Sequence, residues 1–308
     1  MPTVFVYEFC CAVGVGGSLG REGQAMRDAV ADDFRRLPGV IVVTLDAANH
    51  AESEQFRELA GSADATLVIA PEFDDLLADR CRWVREAGRE LLGPTASAVR
   101  LTADKLVLYA QWRTGFVRTP TTLPAGDPAV GRPAVWKPRY GAGSTDTVLV
   151  RTAEDEGRVP RGGPELIAQS FVPGRAASVA FLVGPSQTVP LLPTFQHLSD
   201  DGRFTYLGGE LPIPPDLAER AVAFGRKAIS CVPGLRGYVG VDLVLGDAAD
   251  GSQDYAIEIN PRLTTSYVGL RALAETNLAG AMLDVCAGRP VEVRWKPGQV
   301  RFTPDGVS

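Results

Sequence analysis

Apolar residues form short runs in the first third of the chain, and stretches with helical spacing separate these runs. The runs at residues 4–7, 40–44 and 66–70 have the length of buried strands. Residues 22–37 and 74–87 place apolar side chains at the three- and four-residue intervals typical of helices. Because strands and helices alternate, we expect a small parallel sheet and an α/β domain over residues 1–95.

The remainder of the chain shows a different order of elements. Residues 96–185 begin with a helical pattern and continue with strands rich in Val and Trp. Residues 186–308 contain a strand-like run, an amphipathic helix, two further strand-like runs and a last helix, at residues 188–198, 217–231, 237–245, 254–260 and 266–287. We therefore expect two more domains, at 96–185 and 186–308, of α+β class.

Two strand-like runs near the C-terminus carry oxygen side chains. Since residues two apart in a strand share a face, Glu258 and Asn260 project together, while Ile257 and Ile259 are expected to face the core. Asp242 supplies a third oxygen if the two strands pair. These three are candidate metal ligands, suited to Mg²⁺ or Mn²⁺ that bridges a polyphosphate. The alternative interpretation is an edge strand with solvated polar residues.

Lysine is scarce in this chain, so its positions carry information. Of the 31 Lys and Arg residues, the lysines are Lys105, Lys137, Lys227 and Lys296. Lys105 opens a helical pattern and Lys137 lies in a strand-like run. A compact ammonium fits between phosphate oxygens better than a planar guanidinium does. Chance placement accounts for Lys227 and Lys296, but it accounts poorly for the first two.

A glycine-rich segment follows Lys137 within ten residues. Its backbone N–H groups and hydroxyls, at Gly141, Gly143, Ser144 and Thr145, could close over phosphate groups. A plain hairpin loop would use the same glycines, so the position directly after Lys137 is what favours phosphate binding.

The Glu-x-Asn-Pro-Arg strand end and the two lysines together resemble the ATP-grasp superfamily of carboxylate–amine ligases. The resemblance implies an ATP-grasp fold, in which residues 1–95 are a pre-ATP-grasp domain, 96–185 the small subdomain with its lid loop, and 186–308 the large subdomain with the metal site. It also implies ATP and Mg²⁺ as cofactors, with Lys105 and Lys137 on the phosphates. Lys137 and Arg262 are the implied catalytic residues, Arg262 as the donor to a tetrahedral oxyanion.

The same resemblance extends to the segment at residues 165–174, which is similar to the linker whose backbone contacts adenine. It implies nucleotide contacts from residues that follow one another along the chain, namely Gln169, Ser170, Phe171 and Val172. Gln169 stands at a position that is usually acidic and can still accept from the adenine amino group. Ala176 occupies the position where the family commonly has a glutamate for the ribose hydroxyls, which puts ribose recognition in doubt.

Three further features have both a functional and a structural interpretation. The turn at Thr264, Thr265 and Ser266 could bind a carboxylate at a helix start, or simply cap that helix. His197 could act as a base, although a lone histidine is more often structural. The glycines at residues 14–20 do not fit a dinucleotide-binding fingerprint, and they indicate either a loop that lines the substrate cleft or a tight turn.

Residues 7–8, 21–26 and 258–267 narrow the resemblance to the branch that joins tyramine to glutamate in methanofuran-type cofactor biosynthesis. The implied reaction links the γ-carboxylate of glutamate to the tyramine amine through an acyl phosphate, with ATP giving ADP and phosphate. Two alternatives stay open. One is a non-catalytic ATP-binding sensor of the same fold, and the other is an ATP-grasp ligase or carboxylase with another acceptor.

Composition and charge are those of an ordinary globular protein. The chain has 308 residues, 45% of them hydrophobic, a net charge of −6 and a pI near 5.1, which argues against a nucleic-acid or anionic-membrane surface. We expect no signal peptide and no membrane span, a cytoplasmic location, and reduced thiols for the five cysteines. The expected partners are small-molecule carboxylates and amines, and a homodimer is left open.

Overall fold

The computed structural model describes residues 1–47, 51–141, 143–159 and 163–307. The helices are α1 (Phe9–Val13), α2 (Gly17–Arg35), α3 (Glu52–Ser62), α4 (Leu76–Glu86), α5 (Ala96–Ala103), α6 (Lys105–Thr114), α7 (Pro215–Ser230), α8 (Ser266–Leu273) and α9 (Leu278–Cys286). The strands are β1 (Thr3–Glu8), β2 (Ile41–Thr44), β3 (Ala65–Ile69), β4 (Glu90–Leu91), β5 (Thr122–Pro124), β6 (Ala134–Pro138), β7 (Val148–Val150), β8 (Leu166–Ser170), β9 (Arg175–Val183), β10 (Thr188–Pro190), β11 (Thr194–Leu198), β12 (Tyr206–Leu211), β13 (Gly237–Leu245), β14 (Tyr255–Asn260), β15 (Val300–Thr303) and β16 (Gly306–Val307).

The N-terminal sheet is parallel, with strand order β2-β1-β3-β4. Its two central strands, β1 and β3, are almost wholly buried, because helices cover both faces of the sheet. The edge strand β2 is only partly buried, and Ile41 is 45% exposed. The prediction of a buried strand at residues 40–44 was therefore right in type and wrong in burial, since an apolar run alone does not distinguish an edge strand from a central one.

Two antiparallel sheets make up the rest of the chain. A four-stranded sheet has the order β5-β8-β6-β7, and a larger sheet runs β14-β13-β9-β11-β12-β15-β16, with β10 paired to β9. The mixture of one parallel sheet, two antiparallel sheets and covering helices is the α/β and α+β architecture that was predicted.

A continuous hydrophobic core joins the N-terminal sheet to the large sheet. Met26, Val30 and Phe34 of α2 pack in one buried cluster with Tyr267 and Leu270 of α8. Helix α2 therefore lies between the first domain and the C-terminal part of the chain. Its N-terminal end reaches a cleft between these two parts.

Two predicted elements are broken in the structure. The helix expected over residues 266–287 is two helices, α8 and α9, separated at residues 274–277, where Asn277 caps α9 by accepting from the N–H of Gly280. The strand expected over residues 188–198 is interrupted at residues 191–193, before Thr194. Both breaks carry local signals, the polar residues Glu275–Asn277 in the first and Pro193 in the second, which the apolar period alone does not include.

The predicted domain boundaries stay predictions. Strand β9 lies inside the range 96–185 but pairs with β13 and β11 of the large sheet. We therefore propose that the small subdomain ends at the turn formed by Gly174. Within the described part of the chain, no helix is long and apolar enough to cross a membrane.

Candidate active site

One large cleft, with a volume of about 740 Å³, opens between the small sheet, the large sheet and the start of α2. Every site residue predicted from the sequence lines this cleft: Lys105, Lys137, Gly141, Gly143, Ser144, Thr145, Gln169, Ser170, Phe171, Val172, Asp242, Glu258, Asn260 and Arg262. The structure thus brings together groups that lie up to 157 positions apart in the sequence, from Lys105 to Arg262. Their individual roles remain predictions.

Strand pairing places the three predicted metal ligands side by side. In the antiparallel β13–β14 pair, Asp242 lies opposite Glu258, and Asn260 lies opposite Gly240. The Nδ2 atom of Asn260 donates to Asp242 Oδ2 at 2.9 Å, and Gln196 Nε2 of β11 donates to Asp242 Oδ1 at 3.0 Å. The amide oxygen of Asn260 is consequently the atom left for a cation.

The β13–β14 pairing also contains an irregularity that the sequence did not reveal. The register shifts between Asp242 and Leu243, so that Leu243 pairs with Ala256 and Ile257 has no direct partner. Ile257 lines the cleft instead of facing the core, whereas Ile259 is buried as expected. The prediction for Ile257 was wrong because strict alternation assumes an unbroken ladder.

The electrostatics of Asp242 and Glu258 favour a bound cation. Burial, reinforced by the neighbouring charge of Glu258, raises the pKa of Asp242 to about 6. Two carboxylates that repel each other in a partly buried place would gain from a shared positive ion. Among the described residues, no group of three or more His, Cys, Asp or Glu side chains could hold a metal ion. The candidate donor set is therefore two carboxylates and one amide, which is enough for Mg²⁺ when substrate phosphates and waters complete the shell.

Helix α6 positions Lys105. Asp104 caps the helix by accepting from the N–H groups of Leu106 and Val107, at 3.0 and 3.2 Å. Lys105 is then the first helical residue, with a side chain that is 8% exposed. Its Nζ donates to the carbonyl of Gly141 at 3.1 Å and lies 3.8 Å from Glu258 Oε2. Lys105 therefore connects the glycine-rich segment to the proposed metal site.

Lys137 projects from β6 into the same cleft. Burial lowers the pKa of its ammonium, the charge of Glu258 opposes this shift, the charge of Lys105 adds to it, and the resulting pKa is about 8. An anion bound beside Lys137 would favour its charged form. We refer to Lys105, Lys137, Asp242, Glu258 and Asn260 as the lysine cluster.

The glycine-rich segment is the connection between the antiparallel strands β6 and β7, as predicted for a hairpin. Gly143, Ser144 and Asp146 have φ values of 68°, 58° and 54°, so this turn uses left-handed backbone at non-glycine positions as well. Ala142, in the middle of the segment, lies outside the described residues. The base of the hairpin is tied to α6, because Arg139 and Tyr140 both donate to the carboxylate of Asp104.

The segment predicted to contact adenine forms β8 and the turn after it. Gln169 is buried, and its Nε2 donates to Thr122 Oγ1 at 2.9 Å, so its amide oxygen remains as an acceptor. Phe171 stacks on Phe204 with ring centres 6.4 Å apart, and both rings line the cleft. Ala176 also lines the cleft. A methyl group therefore stands at the position where the family commonly has a glutamate for the ribose hydroxyls.

Arg262 lines the cleft but is already paired. Its Nε donates to Glu72 Oε1 at 2.9 Å and its Nη2 to Glu72 Oε2 at 3.4 Å, and both side chains are largely buried. Glu72 comes just after β3, at the carboxyl edge of the N-terminal sheet. The predicted role of Arg262 as an oxyanion donor stays a prediction, and the structure adds that Arg262 bridges two parts of the molecule. The 190 residues between the partners explain why sequence reasoning missed Glu72.

The turn after Arg262 is more than a helix cap. Thr265 is at the N-cap of α8 but makes no capping bond with its side chain, and its hydroxyl donates to Glu22 of α2. The hydroxyls of Thr264 and Ser266 lie 2.8 Å apart, and both contact the hydroxyl of Tyr238. Thr264, Thr265 and Ser266 all line the cleft. Their hydroxyls are therefore in a position to contact a polar group of a substrate.

The start of α2 forms another part of the cleft lining. Residues 14–20 are not a continuous loop, because α1 ends at Val13 and α2 begins at Gly17. Ser18, Leu19 and Glu22 line the cleft, and we call these three residues the α2 wall. The cleft-lining interpretation of residues 14–20 was therefore right for Ser18 and Leu19, although they are helical.

Gln196 and Tyr206 are among the polar cleft residues on the large sheet that sequence reasoning missed. Gln196 alternates with His197 along β11, so Gln196 lines the cleft while the exposed His197 lies 3.7 Å from Glu210. Once Thr194 is known to begin the strand, the two-residue period identifies Gln196. Tyr206, at the start of β12, had no such signal.

Comparison with protein families agrees with this geometry. An ATP-grasp domain model matches residues 102–266, which is more than half of the chain, and a pre-ATP-grasp domain model matches residues 25–99. The chain belongs to the ATP-grasp family. The predicted fold and the binding of ATP are confirmed.

Curated relatives cover most of the chain. A tyramine–L-glutamate ligase from Methanocaldococcus jannaschii is 26% identical over 98% of this chain and 94% of its own length. Another from Methanocaldococcus fervens is 28% identical over 82% of this chain and 77% of its own length. Family membership and these ligase relatives confirm the prediction that the chain is an ATP-dependent ligase.

Solved structures share the fold over nearly the whole chain. An ATP-grasp superfamily protein from Archaeoglobus fulgidus is 28% identical, with a TM-score of 0.75 over 98% of this chain and 92% of that one. N5-carboxyaminoimidazole synthetase from Staphylococcus aureus, solved as an ADP complex, has a TM-score of 0.76 at 14% identity, covering 98% of this chain and 82% of that one. At that identity the second likeness concerns the fold alone.

Proposed function

We propose that the protein joins the γ-carboxylate of glutamate to the amine of tyramine, using ATP and an acyl phosphate. The observation that carries the proposal is the lysine cluster, in which two ammonium groups, two carboxylates and one amide meet in a single cleft. The names of the relatives support the two substrates. The place in methanofuran-type cofactor biosynthesis is what the sequence resemblance implies.

Asp242, Glu258 and Asn260 are the residues that would hold Mg²⁺ or Mn²⁺, and such an ion offsets negative charge on phosphate oxygens. Lys105 and Lys137 would bind phosphate oxygens from the other side. The hairpin residues Gly141 and Gly143–Thr145 would cover the phosphates and exclude water, because they line the cleft and Lys105 donates to the carbonyl of Gly141.

The reaction follows in two displacements. A carboxylate oxygen of the donor bonds to the γ-phosphorus of ATP while the bond to the β-bridging oxygen breaks, and ADP leaves. The amine nitrogen then attacks the acyl carbon, the carbon–oxygen bond to phosphate breaks, and the amine gives up a proton. Arg262 would donate to the oxyanion that forms between these bond changes. No protein nucleophile is needed.

Trapping of the acyl phosphate tests the proposal. With ATP, Mg²⁺ and glutamate but without an amine, hydroxylamine should give a hydroxamate. Tyramine should then divert the intermediate to amide and increase phosphate release. If ATP binds but no carboxylate yields hydroxamate or amine-dependent phosphate, the proposed reaction is wrong. Ala176 at the ribose position would then favour an ATP-binding sensor.

A further inference from the structure

Glu22 is a carboxylate on the α2 wall of the cleft that forms no ion pair among the described residues, although its charge adds to those that raise the pKa of the buried Arg262. The other cleft-side glutamate, Glu258, has Lys105 beside it, and Glu72 has Arg262. None of the ion pairs formed by the described residues includes Glu22, whose only described bond is the one it accepts from the hydroxyl of Thr265. A carboxylate in this position is ready to accept further hydrogen bonds from a charged donor.

The backbone around Glu22 holds it in place. A Cβ atom added to Gly23 would lie 2.5 Å from the carboxylate of Glu8, so only glycine allows α2 to approach the end of β1 this closely. Glu8 is itself fixed, because its Oε2 accepts from the N–H of Cys11 at 2.7 Å. On the other side, Thr265 ties Glu22 to the turn that follows Arg262. Glu22 is therefore a pre-organised group and not a mobile surface residue.

Tyr206 contributes an aromatic ring to the same region. It lines the cleft, and its hydroxyl makes no hydrogen bond within the described part of the chain. Glu22 and Tyr206 both line this cleft. Burial raises the pKa of Tyr206, and the negative charges of Glu22 and Asp242 add to the shift. A carboxylate and an aromatic ring that face one cleft form a combination that recognises a cationic nitrogen.

The sign of the charge decides what this part of the cleft accepts. A carboxylate repels phosphate and carboxylate groups, and the lysine cluster already provides for those. Both proposed substrates carry a cationic nitrogen, namely the α-ammonium of glutamate and the amine of tyramine in its protonated form. We infer that Glu22, together with Tyr206 of the same cleft, is the subsite for the ammonium group of one of the two substrates. The inference rests on the proposed function.

Kinetics of Glu22→Gln test this assignment. The substitution keeps the shape and the acceptor for Thr265 but removes the charge. Loss of one charge-assisted hydrogen bond, about 1.5–3 kcal/mol, should raise the KM of the ammonium-bearing substrate roughly 10- to 100-fold while the KM for ATP stays unchanged. Tyr206→Phe should have a smaller effect in the same direction. Glu58→Gln on the exposed face of α3 removes the same charge away from the cleft and should match the wild type.

Two arms distinguish the substrates. If Glu22 binds the α-ammonium, Glu22→Gln raises the KM for glutamate in the hydroxamate assay, which needs no amine, and abolishes the preference for glutamate over glutarate. If Glu22 binds the acceptor, hydroxamate formation is unchanged and the KM for tyramine rises in the amide assay. An unchanged KM for both substrates overturns the inference.

Calorimetric titration of glutamate and of tyramine into the ADP-bound protein gives a readout without turnover. Weaker binding of one substrate by Glu22→Gln, with Glu58→Gln as control, supports the subsite even if the wild type yields no hydroxamate. Equal binding of both substrates by wild type and Glu22→Gln overturns it. Failure of the subsite and failure of the ligase reaction are thereby told apart.

Discussion

The lysine cluster and the α2 wall face the same cleft but are built in different ways. The lysine cluster stands on paired strands and a capped helix. Within it Lys105 pairs with Glu258, and the side-chain amide of Asn260 donates to Asp242. In the described part of the chain, one hydrogen bond joins the α2 wall to the rest of the cleft, between residues 243 positions apart. Substitutions on α2 leave the strand pairing of the lysine cluster unchanged. The lysine cluster can therefore provide the chemistry common to a family, while the α2 wall determines the choice of substrate.

Removal of a ligand from the lysine cluster should have the largest effect. Glu258→Gln or Asn260→Ala deletes one proposed metal ligand, at a cost of several kcal/mol in the transition state, so we expect turnover to fall more than about hundredfold. ADP release measures the loss, and thermal unfolding shows that the fold is kept. Glu219→Gln, an exposed site on α7, serves as control. Wild-type rates in either variant would refute the metal assignment.

Variants of Arg262 and Glu72 test whether Arg262 takes part in the reaction or only stabilises the fold. Arg262→Ala should lower amide formation by roughly a hundred- to thousandfold, as expected for loss of one oxyanion donor. Glu72→Gln keeps the guanidinium but leaves it buried without its partner, so it should destabilise the fold by about 3 kcal/mol in denaturant unfolding and reduce turnover less. Equal losses of turnover in the two variants would make Arg262 a structural partner of Glu72 only.

Lys137→Arg asks whether the lysine cluster depends on the shape of its cations. Charge is kept, but the planar group cannot occupy the place of the ammonium, and loss of one charge-assisted bond of about 1.5–3 kcal/mol predicts a roughly 10- to 100-fold fall in kcat/KM for ATP. Lys227→Arg is the matched control, because Lys227 is not among the residues that line the cleft and its Nζ donates to the carbonyl of Phe116. If both variants behave alike, lysine scarcity carries no functional information.

The smallest expected effect is a proton taken up on ATP binding. Burial lowers the pKa of Lys137 to about 8, so between pH 8 and 9 much of the free enzyme has this residue neutral. Bound phosphates favour the ammonium and raise its pKa, so ATP binding should take up a fraction of a proton and weaken as the pH rises through 8. Calorimetry in buffers of different ionisation enthalpy measures the uptake. Lys137→Arg, which stays charged, should abolish it.

Sequence patterns revealed the lysine cluster almost completely. Local signals were enough for it: two unusual lysines, the alternation of Glu258 with Asn260, and a glycine-rich segment directly after a strand. The one error was the expectation that Ile257 faces the core. A bulge depends on the pairing of two strands and cannot be recognised in the sequence of either strand alone.

The contacts of the α2 wall and of Arg262 could not be read in the same way. Glu22 and Glu72 are ordinary glutamates in their local context, and they acquire a role only when the fold brings Thr265 and Arg262 to them. The break between α8 and α9 was missed for a different reason, because its signal is the local cap at Asn277 and the prediction considered the apolar period alone.

The buried pair between Glu72 and Arg262 limits how this protein can diversify. Point changes at Ser18, Leu19 or Glu22 alter the cleft without disturbing the pair, so new substrate preferences are open to stepwise mutation. Exchange of the whole N-terminal domain is more restricted. A donor domain without an acid at the position of Glu72 would leave the buried guanidinium of Arg262 uncompensated. A functional chimera has to bring in its own carboxylate there or change Arg262 in the same step.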